Sequence, residues 1–333
     1  MQGSLVLTAI RNEGPFILEW LAWQKILGFE KILIMHNDCT DHSPQLLRLL
    51  ERAGELVSKR HEPRPNRSPQ PEAHLVARRN PLVKKARWMF TCDIDEFLVI
   101  HKGDGTISAL LDNGDVPFAA MAIHWRIFGS SGHTTWQDGL VHRQFTYSSK
   151  PEARQNSCFK SIVRNPKDYD RFGSHCARQW HGKGTWGEDG NFWVLSDGSR
   201  LDEFHPNKNP LNSTTHDRMT HKIAEVNHYC VRTYEQYAFK MDQPAAATGL
   251  KRYTRDFFGR FDRNEVENLS ACTYRKAFDR EYDRLCQIQG AMRLHHLCCA
   301  DYVAALCEKR GEDPAKDTRY VFHKDMAKKL PRH

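Results

Sequence analysis

The sequence predicts an α/β chain: a mostly parallel central sheet flanked by helices, with a helical extension at the C-terminus. Three observations predict it. The first sixty residues read strand, helix, strand, helix, strand, an order that builds parallel sheets through right-handed crossovers. Further apolar runs at Trp88-Met89-Phe90 and from Phe118 to Ile127 extend the sheet. After Tyr234 the pattern turns helical.

The elements follow in order. Leu5 to Ile10 is a short apolar run, read as a buried strand, and Arg11-Asn12-Glu13-Gly14 is the polar turn after it. Pro15 suits a first helical position, with Phe16, Trp20, Trp23 and Leu27 at spacings of three or four before Gly28. Lys31 to His36 is the second strand, opening into Asn37-Asp38-Cys39-Thr40-Asp41. Ser43 and Pro44 start the next helix, whose face is Leu46, Leu49, Leu50 and Ala53 and whose end is Gly54. Leu56-Val57 begins a third strand. The four prolines between His61 and Pro71 predict an extended loop, followed by a helix over Glu72 to Asn80. Phe128-Gly129-Ser130-Ser131-Gly132-His133 is a flexible loop after the Phe118–Ile127 strand. Phe159 to Val163 and Ala224 to Tyr229 are strand-like, residues 178–212 read as a hairpin insertion, and Tyr234–Met241 and Arg280–Arg310 as helices.

With 333 residues, 40% hydrophobic and 27% charged, the chain can bury a real core. No apolar run reaches the roughly 18 residues of a membrane span, and a strand this close to Met1 leaves no room for a signal peptide. The expected address is the cytoplasm, with peripheral contact at the inner face of a membrane. The ten cysteines include no Cys-x-x-Cys and read as free thiols, mostly buried. A formal charge of +8 fits a nucleic acid, an anionic membrane, a phosphorylated substrate or simply a solvated basic surface.

The chemistry concentrates in Thr91-Cys92-Asp93-Ile94-Asp95-Glu96-Phe97. A buried strand ending in carboxylates puts them at the carboxyl edge of the sheet, where open α/β folds bind ligands. Hard oxygen ligands there suit Mg²⁺ or Mn²⁺ shared with phosphate oxygens. No Gly-x-Gly-x-x-Gly or Walker loop follows the first strand, which removes the main support for dinucleotide and P-loop readings.

Together, Arg11 to Pro15, Glu19-Trp20-Leu21, the Asn37–Asp41 turn, Asp93 to Phe97, Phe128 to Gly132 and Asn227-His228-Tyr229 resemble glycosyltransferase family 2, with its GT-A fold, over roughly residues 4 to 245. The resemblance implies a catalytic domain over 1–235, with 178–212 inserted, and a helical extension over 236–333. It implies transfer of a sugar from a nucleotide-sugar donor, typically a UDP-sugar, to a glycan or glycolipid hydroxyl, with inversion, a divalent cation and no nucleic-acid partner. It places Arg11, Glu13, Asn37 and Asp38 at the nucleobase and ribose, Asp93 near the ribose and the metal, Asp95 on the metal, and Glu96 behind them. His228 completes the metal or diphosphate site by the same resemblance, although most histidines inside strands are satisfied core residues. His175 is a second candidate for that role. Lys160 and Arg232 are candidates for phosphate oxygens.

An inverting transfer needs a base within reach of the attacking hydroxyl. Asp189 is the named candidate, with an exposed turn residue as the plain alternative; Asp138 and Glu152 stay open. Asp41 is expected to cap the second helix. Two other classes compete. Asp93-Ile94-Asp95 also imitates the nucleophile motif of haloacid-dehalogenase-like phosphohydrolases, but Phe97 stands where that motif wants Thr or Val. A non-catalytic basic polyanion-binding protein would use the eight Trp and seventeen Phe as stacking platforms, yet most of the tryptophans fall at core spacings.

Overall fold

The computed structural model describes residues 3–112, 114, 117–241 and 243–331. Strands β1 (Ser4–Ile10), β2 (Lys31–His36) and β3 (Val57–Arg60) pair in parallel, joined by helices α1 (Ile17–Ile26) and α2 (Ser43–Arg52). Helices α3 (Pro69–Ala77) and α4 (Pro81–Lys85) lead to β4 (Trp88–Thr91), which pairs in parallel with β1. The chain turns through Cys92–Asp95 into β5 (Glu96–Ile100), then α5 (Ile107–Leu111) and β6 (Ala120–Ile127). Next come α6 (Val141–Gln144), β7 (Tyr147–Ser148) and β8 (Phe159–Arg164). β8 lies antiparallel between β4 and β6.

Beyond it, β9 (Tyr169–Phe172) and β10 (Ala177–Trp180) form a small ladder, and β11 (Trp193–Leu195) and β12 (Ala224–His228) both join β6 in parallel. The central path is therefore β3-β2-β1-β4-β8-β6-β12-β5, with β11 also on β6. Helices α7 (Tyr234–Lys240), α8 (Arg255–Phe261), α9 (Arg275–Cys286), α10 (Ala291–Arg310) and α11 (Thr318–Lys329) complete the chain, with a two-residue strand β13 (Val266–Glu267) on β7.

The period-two alternation of the strands divides the core. Val6, Ile32, Ile34, Phe90 and Ile123 face one layer with α1, α2, α9 and α10. Leu5, Leu7, Leu33, Met35, Met89 and Ala122 face the other, with α3 and the β9–β10 ladder. α1 is buried from Ile17 to Gln24, on every side, because α9 covers its outer face while α10 packs on the Gly14–Phe16 turn that leads into it. Gly14 permits that packing: a Cβ there would meet Cys298 of α10 at 2.4 Å.

Several boundaries differ from the sequence reading. The third helix starts at Pro69, three residues early, and α4 follows it unanticipated. The strand expected to end at the carboxylates resumes as β5. The stretch 178–212 is not a free hairpin: Trp193, Val194 and Leu195 are buried in β11, and Trp193 stacks on Phe204 at 3.8 Å. Its glycines and charges hide a strand of only three residues. The helical run Arg280–Arg310 breaks at Gly290, whose φ of 89° reverses the chain between α9 and α10. No described helix is long and apolar enough to cross a membrane.

Candidate active site

The carboxyl ends of β1, β2 and β4 open into one crevice. Its first wall is made by the turns after β1 and β2, which lock together: Asn12 Nδ2 donates to Thr40 Oγ1 at 3.0 Å and Thr40 N donates to Asn12 Oδ1 at 2.8 Å. Asn12 and Asp38 take left-handed φ values of 57° and 45°, which Asn and Asp tolerate. Asp41 performs the expected capping: Ser43 N and Oγ donate to its carboxylate at 3.0 and 2.6 Å. Asn37 Nδ2 donates to Asp38 Oδ2 at 2.9 Å, and Arg11 reaches Gln243 Oε1 at 3.3 Å. A cavity of about 330 Å³ adjoins this wall, lined by His36, Asp38, Cys39, Pro44, Arg48, Ser58 and Arg60.

The floor is an ion cluster. Lys160, fully buried, donates to Asp93 Oδ2 at 2.9 Å and to Glu96 Oε2 at 2.8 Å. Gln70 Nε2 donates to the other Asp93 oxygen. Trp125 Nε1 donates to Glu96 Oε1 at 3.0 Å, and Asp93 N to Glu96 Oε2 at 2.7 Å. Burial raises the proton affinity of Asp93, but the Lys160 ammonium outweighs it and holds the carboxyl at about 2. Glu96 has no exposed surface, and burial pushes it up to about 8 against the pull of Lys160. One ammonium thus serves two carboxylates and favours the more exposed one.

Asp95 is arranged differently. Its Oδ1 lies 3.8 Å from His228 Nε2 and its Oδ2 3.8 Å from Lys240 Nζ, both beyond hydrogen-bond length. Burial opposes its ionisation, yet His228, Lys240 and Arg232 together bring its pKa below the usual carboxylate value. Burial lowers the His228 pKa to about 4, leaving a neutral ring at pH 7, and its Nδ1 has no partner among the described residues. Arg232, 3% exposed, stands over the Phe16 ring at 4.0 Å with Nη1 4.0 Å from Glu13. Its Nε and Nη2 are buried without partners among the described residues. Burial raises the Glu13 pKa against Arg232.

A family comparison decides what this crevice belongs to: the profile of glycosyltransferase family 92 matches residues 10–229. The chain belongs to glycosyltransferase family 92. This is a family distinct from the family 2 that the motifs resemble, although both consist of glycosyltransferases. A family 92 protein of Oryza sativa subsp. japonica is 24% identical over 163 residues, covering 48% of this chain and 27% of the relative. The chain therefore matches about a quarter of that curated protein's length. Among solved structures, S. aureus TarS 1-349 aligns with 98% of this chain and 92% of its own, at 13% identity and a TM-score of 0.36. The same protein in complex with UDP-GlcNAc aligns at 13% identity and 0.34, covering 98% and 92%.

In this family 92 chain Arg11, Glu13, Asn37, Asp38, Asp93, Asp95, His228 and Arg232 gather at the crevice as the sequence reading expected. Two expectations fail on geometry. Asp189 is exposed, in the turn Glu188 to Asn191 before β11. Its neighbour Gly190 packs on Pro117 and accepts from Arg164 at 3.2 Å, at the start of β6. The cluster sits near the other end of β6, roughly 15 Å along the strand, so Asp189 is no base for this crevice. Lys160 is spent on Asp93 and Glu96 beneath the floor and presents no surface to a phosphate. Asp93 accepts from Gln70 with one oxygen and from Lys160 with the other, and its side chain keeps 32% of its surface exposed.

Two open candidates also lie elsewhere. Asp138 pairs with His295, and the backbone carbonyl of Glu152 accepts from His216. His175 is turned to the Phe159 carbonyl at 2.9 Å, with its ring 5.1 Å from the Trp125 ring and tilted 56° to it. Sequence reasoning missed Lys240, Gln70 and Trp125. A signal existed for Lys240: Thr233 and Gln236 form a capping box, and the short helix that it starts carries Lys240 at its end. Lys251-Arg252-Tyr253 lies in the irregular segment before α8, with the Arg252 guanidinium 5.2 Å from the Tyr253 ring.

Proposed function

We propose that this chain transfers a sugar from a nucleoside-diphosphate sugar, a UDP-sugar in the first instance, to a hydroxyl of a glycan or glycolipid. The observation that carries the reading is Asp95 at the carboxyl edge, with His228 Nε2 and Lys240 Nζ each 3.8 Å from its oxygens. Those gaps are too long for hydrogen bonds and wide enough for a ligand atom or ion between them.

The acceptor oxygen attacks the anomeric carbon as the bond from that carbon to the diphosphate oxygen breaks, with inversion; the hydroxyl proton leaves to water, and negative charge grows on the β-phosphate. Asp95 and the neutral His228 ring are the residues that would hold Mn²⁺ or Mg²⁺; such an ion supplies Lewis-acid stabilisation of the departing diphosphate. Lys240 and the unpartnered nitrogens of Arg232 face the same charge and donate to phosphate oxygens. The interlocked turns after β1 and β2 hold the nucleoside through Arg11, Asn37 and Asp38, with Glu13 oriented by Arg232. Asp93 and Glu96, tied to Lys160, keep the turn that carries Asp95 rigid. A glycolipid acceptor would bring the +8 chain to an anionic membrane surface.

Lys240 beside Asp95 favours one variant of this reading, in which side-chain cations neutralise the diphosphate without a metal. A thermal-shift panel of nucleoside diphosphates with and without Mn²⁺ separates the two. Saturation at about a hundred times Kd should stabilise the chain by about 2.7 kcal/mol. Stabilisation that needs Mn²⁺ and disappears in Asp95→Asn supports the metal; stabilisation without Mn²⁺ that disappears in Lys240→Met supports the cationic variant. A flat response across the panel overturns both.

A further inference from the structure

A second set of metal-ligating side chains lies outside the crevice residues, where the C-terminal helices meet the loop that precedes α6. His295 and Cys299 stand one turn apart on α10, so both project from the same face. Asp138 comes from that loop and His323 from α11. One potential ligand atom each from Asp138, Cys299 and His323 lies within 4.8 Å of the others, the one such trio among the described residues. His295 Nε2 joins them, 3.2 Å from Asp138 Oδ1 and 3.5 Å from Cys299 Sγ.

We infer that Asp138, His295, Cys299 and His323 form a zinc site that fastens the C-terminal helical pair to the glycosyltransferase domain. A tetrahedral Zn²⁺ with bonds of about 2.0 Å to nitrogen and oxygen and about 2.3 Å to sulfur sets its ligands about 3.3 Å (N to O) and about 3.5 Å (N to S) apart. The Asp138–His295 and His295–Cys299 separations match those two edges. A carboxylate, a thiolate and two neutral imidazoles around Zn²⁺ sum to zero charge, which a buried site tolerates best. Cys299 has no exposed surface and His323 is 2% exposed, whereas the Asp138 side chain keeps 30%, leaving a path for the ion. His296 Nδ1 lies 2.9 Å from His323 Nδ1, so one ring donates to the other and His323 is held in a single orientation.

The mixed donor set decides the metal: sulfur and imidazole favour Zn²⁺ over the Mg²⁺ or Mn²⁺ that an oxygen site would take.

The test uses the full chain. Metal analysis of protein purified without chelator should find one equivalent of zinc. Replacing it with Co²⁺ should give a thiolate-to-cobalt charge-transfer band and the intense visible bands of tetrahedral cobalt. Cys299→Ser should abolish the charge-transfer band and His323→Gln should weaken Co²⁺ binding at least tenfold, while the exposed Cys272→Ser keeps both. Wild-type protein that takes up Co²⁺ without a thiolate band, or takes up none, overturns the site, and this holds even where the variants fail to fold. Unchanged zinc content in the folded double variant Cys299→Ser/His323→Gln overturns it equally.

Discussion

The crevice at the sheet edge and the cluster between α10 and α11 are built from the same kinds of residue and are organised in opposite ways. At the crevice the central carboxylate, Asp95, is left 3.8 Å from both the His228 ring and the Lys240 ammonium that face it, and two Arg232 nitrogens are buried without a partner among the described residues. In the cluster Asp138, His295 and Cys299 touch, at 3.2 to 3.5 Å, with His295 Nδ1 the one ring nitrogen left buried without a partner among the described residues. Unmet hydrogen-bonding capacity in a folded protein costs stability, so it persists where a ligand meets it. Contacts already closed around one point instead suit a small ion or a purely internal network. The difference separates a site that awaits a large, charged substrate from one that acts as a fastener.

The sharpest way to break this contrast is beneath the crevice. Lys160→Met leaves Asp93 and Glu96 facing each other without their ammonium, and unfolding in urea should show a loss of about 3–5 kcal/mol. A loss under 1 kcal/mol would mean that Lys160 is not the keystone described.

A smaller effect separates the two regions by pH. In the cluster, burial raises the Asp138 pKa but His295 prevails and holds it at about 2, below its unfolded value of 3.8. A depressed carboxylate stabilises the fold above its unfolded pKa and loses that contribution as pH falls through the folded one. Asp138→Asn should therefore flatten the stability profile between about pH 4 and pH 2 by about 1–2 kcal/mol, read from urea midpoints at each pH. An unchanged acid limb would show that the Asp138–His295 pair does not form in solution. The smallest effect is expected at the exposed turn: Asp189→Asn should change stability by no more than about 0.5 kcal/mol and leave donor turnover intact. A large loss of turnover there would return Asp189 to the catalytic machinery.

Legibility followed distance along the chain. The β1-α1-β2-α2-β3 order, the Asp41 cap and the placing of Asp93 to Glu96 at a sheet edge came from patterns a few residues long. Glu96 was expected behind the metal motif, and there it lies, under Trp125 and Lys160. Lys160 was misread because any lysine in a basic chain can be imagined on a phosphate; only the pairing of β8 with β4 and β6 shows it directed beneath the floor. Asp189 was misread because order along the chain says nothing about which end of β6 a loop visits.

By itself the sequence determined an α/β sheet, a carboxylate edge and a crevice bounded by the first two turns, since each rests on local periodicity, capping or turn chemistry. Tertiary structure alone decided that Asp93 belongs to Lys160 while Asp95 faces His228 and Lys240. It alone gathered Asp138, His295, Cys299 and His323, residues up to 185 positions apart. The physical reason is that a charge acquires its role from the partners within a few ångströms of it, and packing of distant elements chooses those partners.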